Sequence, residues 1–395
     1  MISGTSYDAV DVAAAEFATD GDNLWLRPLG ALEIPYPQDL RQQIADILPP
    51  RPTGIGQVCR LTTALGQAFG DAAARALAEL ASGRADLVVS HGQTVFHWVD
   101  RGRALGSLQL GQPAWIVERT GLPVLSDLRA RDIARGGQGA PLVPAFDRLL
   151  LAPGVAPRAA LNIGGIANLT VVHPDGTLLG YDIGPGNALI DAATVALADR
   201  PCDVDGRLAR SGHVVPDLLE ALLREPYYAM PPPKSTGKEL FCWDYLRGFA
   251  ERLPDSPSAA DLVATVTELT ARVITAEAAR HGLAELVCSG GGTRNPVLME
   301  RLAALGAGRW QVRTIDEYGV PSAAKEAYAF ALLGYLSWHG LAGSAPAATG
   351  ARTPAVLGSL TPGAGPLRLP DPLTTPPHRL LIGRRERIGC RRRSI

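Results

Sequence analysis

Ala159-Ala-Leu-Asn-Ile-Gly-Gly-Ile-Ala-Asn-Leu-Thr-Val-Val172 reads as an apolar strand, a tight reversal at Gly164-Gly165 and a second strand running back. Pro174-Asp-Gly176 makes the next turn, and a third strand near Leu178–Tyr181 completes an antiparallel meander. The N-terminus follows the same plan: the small-residue turn Ser3-Gly-Thr-Ser6 opens into a strand over Asp8–Phe17.

Outward from these two points, strand and helix alternate. Leu65, Phe69, Ala73, Leu77 and Leu80 recur at helical spacing, predicting an amphipathic helix from Leu61 to about Ser82. Strands are expected at Asp86–Ser90, Leu108–Leu110, Pro123–Ser126 and Leu286–Ser289, with helices after Pro113, over Ala260–Arg280 and over Ala323–Trp338. Two similar α/β halves predict a duplicated ribonuclease-H-like fold with a ligand in the interdomain cleft. The domains are expected at residues 1–126 plus 320–363 and at 127–319, followed by a disordered tail, 364–395, that ends in clustered arginines.

Composition narrows the partners. A 395-residue chain with 46% hydrophobic and 19% charged residues has the makeup of a folded protein with room for two cores. A net charge of −1 provides no global field for nucleic acid or an anionic membrane, so phosphate recognition must be local. The five cysteines (59, 202, 242, 288 and 390) form no CxxC pair, which argues against a disulfide framework and a structural zinc site. No secretory leader or eighteen-residue apolar run is evident, and a cytoplasmic protein is expected. Arginine carries nearly all the positive charge, so Lys234, Lys238 and Lys325 stand out as places suited to a compact ammonium.

Three glycine turns could cradle phosphate, because backbone amides unobstructed by Cβ atoms can converge on an anion. They are Ser3-Gly-Thr-Ser-Tyr-Asp8, Asn162-Ile-Gly-Gly165 and Ser289-Gly-Gly-Gly-Thr-Arg-Asn295, the last leading into a helix whose N-terminus would add free donors. A P-loop is absent: the position of its first glycine is Pro232, and Glu239 follows Lys238. No GxGxxG follows a first strand.

Seven ordered segments carry a resemblance: Ser3–Asp11, Ser90–His97, Gly136–Pro144, Asn162–Asn168, Asp182–Asn187, Pro233–Glu239 and Ser289–Asn295. From Ser3 to about Gly363 the chain resembles the anhydro-N-acetylmuramic acid kinases, of the sugar kinase, Hsp70 and actin superfamily with its actin-like ATPase domains. The resemblance implies a kinase that adds water across the 1,6-anhydro bridge and moves the ATP γ-phosphoryl group to O6, with ATP and Mg²⁺ as cofactors and a homodimer as the assembly. It implies that Asp182 is the general base, a role a carboxylate just before Gly184-Pro-Gly186 could fill. ATP would be held by Gly4, Thr5, Ser6, Tyr7, Asp8, Ala9, Val10, Asp11, Gly164, Gly165, Gly290, Gly291, Gly292 and Asn295, with Asp8 or Asp11 orienting the metal through water. The sugar would meet His91, Gln93, Arg129, Gln138 and Glu326, Arg129 being suited to the lactyl carboxylate. The loop bearing Lys234 and Lys238 reads as structural or gating.

The chain departs from the family pattern in two places. Few residues precede the first phosphate turn, which predicts a poorly anchored turn, and Ala9 stands where the family carries glycine, awkward only if its φ is positive. Two further readings remain open: a nucleotide-dependent binding protein of the same superfamily without catalysis, and a kinase for an ordinary hexose.

Overall fold

The computed structural model describes residues 1–4, 6–232 and 234–383. Thr5, Pro233 and the clustered arginines and Cys390 of the terminal segment lie outside the described residues. The chain forms two compact units, one running to Ala152 and resuming at Gly319, the other spanning Pro153–Tyr318.

In the first unit, strands β1 (Ala9–Asp20) and β2 (Asn23–Pro35) pair as an antiparallel hairpin. Residues 1–3 take the place of a strand beside β1. Ile2 and Asp11 exchange backbone hydrogen bonds of 2.9 and 2.8 Å, and Ser3 bridges Gln93 in parallel. Met1 N donates to the Val89 carbonyl at 2.7 Å, and its own carbonyl accepts from His91 N at 3.0 Å. The expected poor anchoring of the first turn is therefore corrected: three buried residues are stitched between two strands. Beyond them come β3 (Val88–Val89), the hairpin β4 (Gln93–Asp100) with β5 (Arg103–Leu110), and β6 (Val124–Ser126), parallel to β3. The helix Ile55–Leu80 buries Leu61, Leu65 and Phe69 against Val10 and Val12 of β1, so the 3.6-residue and two-residue periodicities meet in one core.

The second unit holds β7 (Arg158–Ile163), β8 (Ile166–Val172), β9 (Leu178–Pro185), β10 (Glu285–Ser289) and β11 (Gln311–Thr314). Their order is β11-β10-β7-β8-β9, with β7, β8 and β9 antiparallel and β10 parallel to both β7 and β11. Leu161, Leu169, Ile183 and Leu286 pack with Ile274 of the helix Ala259–Arg280. The first unit repeats this arrangement: β2, β1, residues 1–3, β3 and β6 follow one another with the same change from antiparallel to parallel neighbours.

The chain then re-enters the first unit through the helix Lys325–Trp338, β12 (Ser359–Thr361) on β6, and β13 (Arg379–Ile382) in parallel register with β2. This corrects the expected tail: residues 364–383 are traced, and a strand ends them. Residues 127–152 also fall in the first unit, although the sequence reading placed them in the second. Buried Asp132 accepts from Thr349 Oγ1 at 2.8 Å, and Lys325 Nζ lies 2.7 Å from Asp147, ties between distant parts of the chain that periodicity does not reveal. Among the described residues no helix is long and apolar enough to cross a membrane.

Candidate active site

In the second unit, the turn between β7 and β8 presents Gly164 and Gly165. Their carbonyls accept from the amides that follow β9: Gly165 from Gly186 at 2.9 Å and Ala188 at 2.9 Å, Gly164 from Asn187 at 2.8 Å. The segment carrying Asp182 is thus tied to the second glycine turn. The third turn packs on the second. Gly290 has φ +86°, and a Cβ there would lie 2.4 Å from Asn162 Oδ1, so only glycine permits this approach. The sequence reading therefore placed in three separate motifs what the fold brings together.

Asp182 lies on β9, half-buried. Its Oδ2 accepts from Ser235 Oγ at 2.9 Å and from Thr236 N at 3.2 Å, while its carbonyl accepts from Tyr227 Oη at 2.7 Å. Burial pushes its carboxyl above the ordinary aspartate range, and the two donors pull it partly back. A carboxylate raised in this way is suited to accept a proton. Asp191, in the first turn of the helix Ala188–Ala198, is pushed up to about 6 by burial, with Lys238 opposing. Lys238 is exposed and lies across the second glycine turn: a Cβ on Gly165 would sit 2.7 Å from its Cε and 3.6 Å from its Nζ.

Asn295 behaves differently from the expectation of free donors after the third turn. Its Oδ1 accepts from Val297 N at 3.1 Å and Leu298 N at 3.2 Å, capping the helix Pro296–Gly306. Those two amides are consumed by the chain itself.

In the first unit, Ser6, Tyr7 and Asp8 follow the first glycine of the N-terminal turn. Ser6 Oγ donates to Asp8 Oδ1 at 2.6 Å, and Tyr7 takes a positive φ of 41°. Ala9 is not among the residues of positive φ, so its methyl is accommodated within β1. Val10 is core. Asp11 is pushed up to about 6 by burial, reinforced by Glu33, Asp8 and Glu326. Gln93 is buried beneath the turn, accepting from Ser3 Oγ at 2.5 Å and donating to the Gly4 carbonyl at 3.2 Å.

His91 is buried and accepts from Arg129 Nε at 2.9 Å through Nε2, so its ring proton sits on Nδ1 and points to the Gly92 carbonyl, 2.9 Å away. Burial and the Arg129 charge lower it to about 3, keeping it neutral at ordinary pH. Arg129 also donates to the Gly139 carbonyl at 2.7 Å. Glu326 is exposed, yet the surrounding protein pushes its carboxyl up, with Lys325 and Arg129 opposing. The first unit thus gathers His91, Arg129, Glu326 and Asp11 about its turn. Gln138 is spent on the β4–β5 hairpin, its Oε1 accepting from Ala104 N at 2.8 Å and its Nε2 donating to the Gly102 carbonyl at 3.1 Å. Ser235 and Thr236 were missed as site residues. Their only signal was the Lys-Ser-Thr-Gly-Lys run within a motif quoted for its resemblance.

An α/β chain with paired glycine turns beside a poised carboxylate fits the class of phosphotransferases that hold nucleotides without a P-loop. The profile of the anhydro-N-acetylmuramic acid kinase family matches residues 1–363, and the chain belongs to that family. The anhydro-N-acetylmuramic acid kinase of Streptomyces avermitilis is 56% identical over 390 residues, covering 97% of this chain and 98% of the relative. Those of Streptomyces coelicolor and Rhodococcus erythropolis are 53% and 52% identical, covering 97% and 92% of this chain and 98% and 94% of theirs. A solved structure, the activator of the 2-hydroxyisocaproyl-CoA dehydratase from Clostridium difficile with bound ADPNP, aligns with a TM-score of 0.30 at 15% identity, covering 77% of this chain and 87% of that one.

Proposed function

We propose that this chain is an ATP-dependent kinase of peptidoglycan recycling. Its substrate is 1,6-anhydro-N-acetylmuramic acid, and its products are N-acetylmuramic acid 6-phosphate and ADP. Family membership supports the reaction, and the observation that carries the mechanism is Asp182: a half-buried carboxylate, raised by burial, on a strand whose end is bonded to the second glycine turn. In this reading Asp182 accepts a proton from the water whose oxygen bonds to C1. The C1–O6 bond breaks, and O6 takes the phosphoryl group from ATP.

The remaining residues divide by ligand. Gly164, Gly165, Gly290, Gly291, Gly292 and Asn295 are assigned to the nucleotide, as is the first turn with Gly4, Ser6, Tyr7 and Asp8. His91, Arg129 and Glu326 are assigned to the sugar, with Arg129 offered to its carboxylate. Gln93 supports the first turn from below. Among the described residues no three His, Cys, Asp or Glu side chains form a cage for a metal. A kinase requires none, since Mg²⁺ carried on the phosphates needs only one or two carboxylates or their waters. Asp8, exposed and oriented by Ser6, fits that demand. When bound, the ion neutralises charge on the phosphates. The repeated strand order of the two units supports a duplicated ribonuclease-H-like architecture of the actin-like ATPase kind.

Incubation with ATP, Mg²⁺ and the anhydro-sugar in ¹⁸O-water tests this reading. Label at C1 and phosphate on O6 are expected, and Asp182→Asn should slow turnover by about 100-fold or more. Undiminished turnover in the Asn variant would remove Asp182 from its role. Preference for an open-ring hexose would overturn the substrate.

A further inference from the structure

The loop from Lys234 to Lys238 is fixed at three points, all within the second unit. Lys234 is its anchor. The ammonium is buried, 3.2 Å from the Tyr227 carbonyl, 3.1 Å from the Tyr228 carbonyl and 3.5 Å from Glu277 Oε1, and it lies 4.9 Å from the centre of the Tyr227 ring. Its partner Glu277 is itself buried and accepts from Tyr181 Oη at 2.8 Å, so the anchor is locked to the residue that precedes Asp182. Next, the Lys234 carbonyl accepts from Asp182 N at 3.2 Å, and Ser235 Oγ and Thr236 N reach Asp182 Oδ2. At the far end, Lys238 lies across Gly165.

We infer that this loop is a strap that positions the Asp182 carboxylate, with Ser235 as the positioning residue and Lys234 as its buried anchor. The inference rests on the reading of Asp182 as the general base. Two donors on one oxygen fix the plane of the carboxylate and leave its other oxygen for the reacting water. They also hold its basicity down against the effect of burial. Of the titratable groups tied to Asp182 or its strap, Tyr227 donates its hydroxyl to the Asp182 carbonyl, and the Lys234 ammonium is committed to Glu277 and two carbonyls. Neither replaces Ser235 as a donor to the carboxylate. Lys234 is one of only three lysines in the chain, and a flexible point charge suits a cage built of two carbonyls and a carboxylate better than a planar guanidinium would.

The test compares Ser235→Ala, Ser235→Thr and Asp182→Asn in the full chain, measuring kcat, the KM for ATP and the pH profile of kcat/KM for the anhydro-sugar. Ser235 is exposed, so the Ala variant should keep its Tm. Loss of one hydrogen bond to a charged acceptor should lower kcat about tenfold. It should also move the acid limb upward by about half a pH unit, because the ionised form loses a donor. The KM for ATP should stay within about twofold, and Ser235→Thr should restore both the rate and the limb. An unmoved acid limb in Ser235→Ala, or a loss equal at every pH that threonine does not repair, overturns the strap while leaving Asp182 in place. An active Asp182→Asn overturns the base reading, and the strap with it.

Discussion

At the scale of single residues, burial displaces several side chains of each unit from their ordinary protonation. His91 is held neutral, whereas Asp11, Asp182 and Asp191 are all pushed toward retaining a proton. Asp191 shows the cost most simply. It sits in the first turn of its helix, where the dipole favours a negative charge, yet burial prevails and raises it to about 6. A folded-state value above the unfolded one means stability that is complete below about 4 and is lost as pH rises through about 6. Asp191→Asn should therefore gain in Tm relative to the parent between pH 4 and 6 and hold that gain at higher pH. Thermal melts of both proteins from pH 4 to 8 would show it, and a constant difference across that range would contradict it.

At the scale of elements, the helix Pro296–Gly306 begins at a residue assigned to the nucleotide but used as a cap. Asn295→Ala should destabilise the protein by about 1 kcal/mol, whereas Asn295→Asp should be nearly neutral, as read from denaturant midpoints. Equal losses for both would show that the cap contributes nothing. The same element shows what a linear reading can reach. The turns at Gly164-Gly165 and Gly290–Gly292 and the long helix Ala259–Arg280 were legible because their signals are local: spacing and turn chemistry. Ser235 was not, because nothing in its neighbours says that a loop more than fifty residues downstream folds back onto β9. The free donors expected at the start of this helix are absent for a related reason. The sequence marks a donor-rich helix start but not whether the chain's own side chain fills it. The strand at Arg379–Ile382 was hidden in a stretch rich in proline and glycine, where composition suggests no order and only pairing with β2 creates it.

At the scale of the whole molecule, each unit carries a sheet whose middle changes from antiparallel to parallel pairing, and in each the glycine turn lies at the end of the strand where that change occurs. Buried polar pairs, such as Asp132 with Thr349 and Asp147 with Lys325, then draw residues far apart in the chain into the first unit. The strand β13 acts on the outer margin of that unit. It lies on Asn23-Leu-Trp-Leu26, a run with two fully buried leucines, and satisfies backbone groups that would otherwise face solvent. A chain ended at residue 377 should therefore expose a ready template for pairing with another copy, and light scattering on warming should detect particles at a lower temperature than for the full chain. If both scatter alike, the margin is protected by something else. Wherever natural or engineered versions vary at this end, colloidal behaviour rather than turnover is the property to watch.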